Sequence, residues 1–289
     1  MLYRIADLNL RLEGFESKYF ERRMSSYRAE NNCSVADISV NFKENNSILV
    51  PAGNDFRRFD AWYWIDRGEE GYTAIKQLSQ YRANMMRIDI DRECKNVVIE
   101  YVDIKDCYVD VTTDYMLYYA LNDAFAFCQT VRNAMLLHSA SVAYKGNAVL
   151  FSAPSETGKS THTGLWKKYY SDDVSLFNDD TPVIRKTDDS FVAYGTPWSG
   201  KTEINLNIKA PLRGIVFLKQ APENTIRRLS PIEAAINLLN QTRKPAFETL
   251  MDKHMDFIND LVSNTPIYEL GCTISREAVD LVKDTIFGE

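Results

Sequence analysis

The sequence is short of the residues that build metal centres and covalent cross-links. It has 3 histidines, His138, His162 and His254, and no two stand at HxxH or HxxxH spacing, which argues against a zincin-type site. It has 5 cysteines, Cys33, Cys94, Cys107, Cys128 and Cys272, an odd number without a CxxC pair. That pattern speaks against structural zinc and against a disulfide framework, and a reduced cytoplasmic setting is the expectation. Positive charge is not in excess: Lys+Arg total 34 against 40 Asp+Glu, a net of −6. Broad electrostatic capture of nucleic acid or of an anionic membrane is therefore not expected. Long apolar runs are missing too. Arg4, Asp7, Arg11 and Glu13 interrupt the first residues, which do not read as a signal peptide. The most apolar stretch, Tyr115 to Leu137, is broken by Asn122, Asp123, Gln129, Arg132 and Asn133. It falls short of a membrane span and predicts a long helix buried on most sides.

What is present is ordinary globular composition, 45% hydrophobic and 26% charged, with no repeat and no Pro/Gly/Ser-rich linker. Up to about Asp110, short segments alternate apolar and polar residues: Leu2 to Leu12, Ala36 to Phe42, Met86 to Ile90 and Val97 to Val102. They read as half-buried strands with turns between them, Pro51-Ala52-Gly53-Asn54 among these. Trp62, Tyr63 and Trp64 read as packing residues. Thr112, Thr113 and Asp114 supply N-cap chemistry for the helix that follows. Ser141 to Tyr144 and Ala148 to Ser152 predict a hairpin about Lys145-Gly146-Asn147. Beyond it, strands are expected at 175–177, 183–184, 191–194 and 214–218, and helices near 230–241, 246–262 and 275–286. Ser230-Pro231-Ile232-Glu233 carries a capping-box start. The fold class is α/β of the mixed α+β kind, with a β-rich first domain at 1–110 and a second domain at 111–289.

The most informative segment is Val149 to Thr161. A short apolar strand enters the loop Ala153-Pro154-Ser155-Glu156-Thr157-Gly158, which ends in Lys159-Ser160-Thr161 and a helix-compatible run to Tyr169. Strand, loop and helix in that order make the setting of a phosphate loop. Amides at a helix N-terminus form a concave donor set, and the helix dipole favours an anion there. Gly158 lets the backbone come close to phosphate, Lys159 places a compact charge on the β and γ oxygens, and Ser160 offers a hydroxyl to Mg2+. The candidate nucleotide-binding residues are Pro154, Ser155, Glu156, Thr157, Gly158, Lys159, Ser160 and Thr161. Ala153 stands where the usual pattern has its first Gly, which is harmless only if its φ is negative.

Leu176-Phe177-Asn178-Asp179-Asp180 is an apolar strand ending in two acids. Beside a phosphate loop such a pair suits Mg2+, because carboxylate and phosphate oxygens share a hard cation. One acid can hold metal while the other accepts a proton from an attacking hydroxyl. Asp172-Asp173 and Asp188-Asp189 lack the strand and read as solvated loops. His138 reads on its own as a core histidine, and His162 as a position on the helix surface. Trp198 reads as a packing anchor. Lys201 and Glu203 are candidates for a phosphate partner and for a third metal ligand.

Taken together, His138-Ser139-Ala140-Ser141, Pro154-Ser155 with Thr157 to Thr161, Asn178-Asp179-Asp180, Tyr194 to Gly200 and Pro211 to Leu218 resemble the HPr kinase/phosphorylase-like branch of the phosphoenolpyruvate-carboxykinase-type P-loop fold. The resemblance covers about residues 135–285. It implies an ATP- and Mg2+-dependent kinase that phosphorylates a hydroxyl, often a serine of a protein or peptide. It implies Asp179 as general base, Asp180 as metal ligand and His138 near the reacting phosphate, and it suggests a homo-oligomer. Two features depart from HPr kinases proper. Thr161 stands where they carry Glu, and Glu203-Ile204-Asn205 stands in place of their Glu-Val-Arg-Gly signature. The acceptor so implied is a peptide or small-molecule hydroxyl rather than HPr. Two other readings use the same loop. One is a nucleotide-sensing module without catalysis. The other is a carboxykinase-like enzyme on an organic acid, drawing on Arg213, Arg243 and Lys244.

Overall fold

The computed structural model describes residues 1–29, 35–50, 57–59, 62–78, 83–103, 112–188 and 190–288. The expected turn at Pro51 to Asn54, Cys33, Cys107 and Asp189 lie outside them. The chain forms two compact units, 1–132 with 245–251, and 133–244 with 252–289. The expected boundary at 110/111 lies outside the described residues.

Among the described residues the first unit holds eight strands: β1 (Leu2–Ile5), β2 (Leu8–Glu13), β3 (Ile38–Glu44), β4 (Arg57–Phe59), β5 (Trp62–Asp66), β6 (Tyr72–Leu78), β7 (Ala83–Ile90) and β8 (Asn96–Tyr101). They make one mixed sheet in the order β1-β2-β3-β8-β7-β6-β5-β4, with β2–β3 and β3–β8 parallel. The stretch expected as one strand, Leu2 to Leu12, is a hairpin. Ala6 and Asp7 take φ of 49° and 61°, the two left-handed residues of a tight two-residue turn. The helices α1 (Lys18–Met24) and α2 (Thr113–Thr130) belong here. The Thr112 side chain accepts from Tyr115 N and so caps α2. Eleven of its residues are buried, as its apolar run predicts, but α2 stops at Thr130. The rest of that run becomes β9 (Ala134–Leu136), a strand of the second unit. Trp62 and Trp64 are buried, and Trp64 stacks on Phe127 with ring centroids 4.7 Å apart. Among the described residues no helix is long and apolar enough to cross a membrane.

The second unit is built on one mixed sheet. Its other strands are β10 (Ser139–Tyr144), β11 (Asn147–Ser152), β12 (Val174–Asn178), β13 (Val183–Lys186), β14 (Phe191–Tyr194), β15 (Lys209–Gln220), β16 (Thr225–Arg228) and β17 (Ile267–Cys272). The order is β12-β10-β11-β15-β14-β13-β9, with β17 parallel to β15 and β16 on β17. The hairpin β10–β11 forms as expected, turning on Lys145 (φ 46°) and Gly146 (φ 77°). The unit's helices are α3 (Lys159–Tyr170), α4 (Pro231–Asn240) and α6 (Arg276–Phe287), joined by the later part of α5 (Glu248–Asn264). The Ser230/Glu233 capping box starts α4, with Pro231 in its first turn.

The alternation along the central strands fixes two faces. Ala148 and Leu150 of β11 join Ile215 and Phe217 of β15 in a core with Ala234 and Leu238 of α4 and Ile258 and Leu261 of α5. Val149 and Phe151 join Val216 and Leu218 in a second core with Trp166 of α3 and Val279 and Val282 of α6. The sheet is therefore a middle layer with helices on both faces.

In α3 the buried residues are Lys159, His162, Thr163 and Trp166, spaced as one helical face. His162 is consequently not on the surface. It is 3% exposed, its ring lies 4.7 Å from that of Phe151, and its Nε2 accepts from Trp166 Nε1 at 3.3 Å. Burial lowers the His162 pKa from 6.5 to about 4, and burial together with the Lys244 charge does the same for His254. With both values below those of the unfolded chain, the unfolded chain binds more protons between pH 6.5 and 4. The stability that neutral imidazoles provide is complete above about 6.5 and is lost as pH falls toward 4. Urea unfolding should show a loss of about 2 kcal/mol per histidine between pH 7 and pH 5. His254→Gln should flatten that slope by about half, and an unchanged slope would contradict the assignment.

Candidate functional site

Strand pairing decides what meets at the sheet's end. β10 runs antiparallel to both β11 and β12, so its start lies beside their ends. His138, just before β10, thus meets the loop after Ser152 and the acids after Asn178. Two backbone bonds tie the start of β10 to the segment after β12: Ser139 N donates to Asp180 O at 2.9 Å and Leu137 N to Pro182 O at 3.2 Å. Buried serines add to this. Ser152 Oγ donates to His138 O and Ser141 Oγ to Asn178 O, each at 2.8 Å.

The loop after β11 crosses to α3 on a backbone that few residues allow. Gly158 takes φ of 112° and caps α3 without a side-chain bond, and Glu156 also has positive φ, 67°. The first amides of α3 have no carbonyl partner within the helix, the arrangement that receives anions elsewhere. Ala153 is not among the residues of positive φ, so the missing glycine brings no strain. It is buried against the α3 core, and its carbonyl accepts from Lys159 Nζ at 2.8 Å. Thr157 Oγ1 closes the loop on Pro154 O at 2.9 Å, and Gln220 Nε2 at the end of β15 donates to Thr157 O. Pro154, Ser155, Glu156, Ser160 and Thr161 are exposed, while Lys159 is buried. That burial lowers the Lys159 pKa, with the Asp180 charge acting in the opposite direction.

Asp180 lies across from this lysine. Burial raises its pKa first of all. The His138 charge lowers it, Asp179 raises it and Lys159 lowers it. Its Oδ1 stands 3.6 Å from His138 Nε2. His138 itself is held on three sides. Its N–H donates to Gln241 O at 2.8 Å, its carbonyl takes the Ser152 hydroxyl, and its Nδ1 pairs with Gln241 Oε1 at 3.0 Å. Only Nε2 is left to face the acid. A cavity of about 290 Å³ opens here, lined by Leu136, His138, Asp180, Thr181 and residues 240–243.

Asp179 turns the other way, into the segment 198–202. It is 8% exposed. Its Oδ1 accepts from Gly200 N at 2.6 Å, and its Oδ2 accepts from Thr202 N at 3.0 Å and from the Thr202 hydroxyl. Trp198 is a buried anchor, as its setting predicts. Lys201 and Glu203 are exposed in the turn. Among the described residues no three His, Cys, Asp or Glu side chains gather as a cation site. Ser160 and Asp180 remain as hard oxygen donors. Magnesium needs little more from a protein, since phosphate oxygens and water complete its octahedron. Asp172 and Asp173 are exposed, as expected of solvated loop acids.

Three residues matter here to which the sequence assigns no role. Gln241 fixes His138 from 103 positions away, and Thr202 holds Asp179 from 23. Asn178, the residue before the acids, is the hub. Its Nδ2 reaches Thr196 O at 2.9 Å, Thr196 Oγ1 at 3.2 Å and Trp198 O at 3.1 Å. Its Oδ1 accepts from Asp180 N at 2.9 Å and Thr181 N at 2.8 Å. An amide inside an apolar strand end was the one available sign of it. Asn178→Leu should cost about 3 kcal/mol in urea unfolding, because buried amides and carbonyls lose their partners. A loss under about 1 kcal/mol would contradict that role.

A family model described as SynChlorMet cassette protein ScmC matches residues 109–284. No curated protein matches. Among solved structures, the Hpr(Ser) kinase/phosphatase from Coxiella burnetii is similar at 11% identity and a TM-score of 0.33, covering 53% of this chain and 97% of that one.

Proposed function

This chain belongs to the SynChlorMet cassette protein ScmC family, and we propose that it is an ATP- and Mg2+-dependent kinase of the phosphate-loop type. It transfers the γ-phosphoryl group to a hydroxyl, that of a serine in a protein or peptide or of a small molecule. One observation carries the reading. β10 brings the α3 N-terminus with Lys159 and the acid pair to one end of one sheet, where Asp180 Oδ1 stands 3.6 Å from His138 Nε2. The arrangement accommodates a polyanion on one side and a neutral acceptor on the other.

The nucleotide phosphates lie on the amides at Gly158 to Thr161, within reach of Pro154 to Thr157. Lys159 Nζ exchanges Ala153 O for β and γ oxygens. Ser160 and Asp180 would hold Mg2+, which would neutralise charge on the phosphates. The acceptor hydroxyl enters on the side of Asp179, beside the turn that holds its carboxylate. Its oxygen bonds to the γ-phosphorus as the bond to the bridging oxygen breaks and ADP leaves, and its proton passes to Asp179. His138, locked by Gln241, presents Nε2 next to the reacting phosphate. Positioning supplies most of the rate in such transfers. A cytoplasmic setting and an assembly of identical copies belong to the same reading. The organic-acid alternative has less support. Arg213 donates to Asn147 at 2.8 Å, at the opposite end of β11, so it cannot share a carboxylate pocket with Arg243.

The test is nucleotide binding and phosphoryl transfer by the purified chain. Lys159→Ala should weaken MgATP binding at least about tenfold and lower transfer by about 10² to 10³. Asp179→Asn should leave binding within about twofold and lower transfer by a similar factor, equivalent to about 3 to 4 kcal/mol of barrier. Wild-type rates in Asp179→Asn would end its assignment as base, and a wild-type chain that binds no nucleotide would end the reading itself.

A further inference from the structure

One exposed turn supplies three donors to a single buried carboxylate. Gly200 N reaches Asp179 Oδ1 at 2.6 Å, Thr202 N reaches Oδ2 at 3.0 Å, and the Thr202 hydroxyl also donates to Oδ2. The approach is close, since a Cβ on Gly200 would stand 3.3 Å from Oδ2. A carboxylate has about four lone-pair sites, two on each oxygen. Thr202 fills both sites on Oδ2. Gly200 fills one on Oδ1, and one site is left. The two oxygens of Asp179 are thereby made unequal by one residue, Thr202.

A threonine at this place is not explained by local folding. It lies between Lys201 and Glu203, all three exposed. The turn is already closed by Glu203 N donating to Gly200 O at 3.2 Å. The hydroxyl is spent on a carboxylate 23 positions away, and that carboxylate is half of the acid pair.

We propose that Thr202 is a positioning residue for phosphoryl transfer, which saturates Asp179 Oδ2 and leaves Oδ1 as the oxygen open to the acceptor's proton. The inference rests on the kinase reading, in which Asp179 is the base. Without the hydroxyl, Oδ2 regains an open site and the carboxylate can rotate against the turn. Its charge is untouched. Nucleotide binding, made on the other side of the site by α3 and Lys159, is untouched as well.

The experiment compares wild type, Thr202→Val and Thr202→Ser with MgATP as donor and water as the acceptor hydroxyl. Water's oxygen bonds to the γ-phosphorus, the bond to ADP breaks, and the proton leaves through Asp179 to solvent. Thr202→Val should lower kcat about tenfold, with KM for ATP and the affinity for a fluorescent ATP analogue within about twofold. Thr202→Ser, which restores the hydroxyl, should recover most of the loss. Tryptic nicking after Lys201, read by mass spectrometry, should speed up in Thr202→Val and return with Ser. Undiminished kcat in Thr202→Val, a Ser variant as impaired as Val, or unchanged nicking would overturn the inference. A wild type that binds no ATP analogue would sink the kinase reading instead, and the nicking comparison would still decide whether the hydroxyl holds the turn.

Discussion

Everything at the candidate site hangs on the buried amide of Asn178. Its carbonyl oxygen orients the two amides that carry the chain away from β12, and its nitrogen pins the segment that ends in Trp198. A buried amide left without partners is costly, so the arrangement is close to all-or-none. Satisfied, it sends Asp180 toward His138 and Asp179 toward Gly200 and Thr202. The two acids are adjacent in sequence and face different neighbours, and that divergence is what lets them differ in chemistry.

Strand direction does the rest. Because β10 is antiparallel to both of its neighbours, a histidine, a glycine-containing loop and an acid pair arrive at one edge without any long connection. The parallel strands β11, β15 and β17 end on that side too, with Gln220 touching the loop at Thr157. In open α/β sheets ligands gather outside the carboxyl ends of such strands, where helix N-termini and loops converge. Burial then sets the electrostatics. It weakens the hold of Lys159 on its proton and strengthens that of Asp180, and each charge offsets the burial of the other. Such a pair suits a ligand that brings both negative charge and a cation.

Some of this could be read from the sequence because local chemistry reports itself. Gly158 before Lys159-Ser160 needs a backbone that other residues resist, and Ser230 with Glu233 closes a helix by itself. The tight turn at Lys145-Gly146 is of the same kind. Other elements were hidden. The apolar run ending at Leu137 looks like one helix because a buried helix and a buried strand share a composition, and only the pairing of β9 with β13 separates them. The turn at Ala6-Asp7 has no glycine to announce it. His162 sits among polar neighbours in the chain, yet the α3 face that buries Trp166 buries it as well. Gln241 and Thr202 act only through distant partners, and no spacing rule reaches across 103 or 23 residues.

The central claim is that the loop from Ala153 to Thr161 and the acid at 180 are two halves of one polyphosphate site. A crystal structure of the chain with Mg2+ and a non-hydrolysable ATP analogue tests it most directly. The account predicts the β and γ phosphates on the amides of Gly158 to Thr161, the Lys159 ammonium moved from the Ala153 carbonyl onto them, and a cation between phosphate and Asp180. Nucleotide bound elsewhere, or bound here with Lys159 still on that carbonyl, would contradict it.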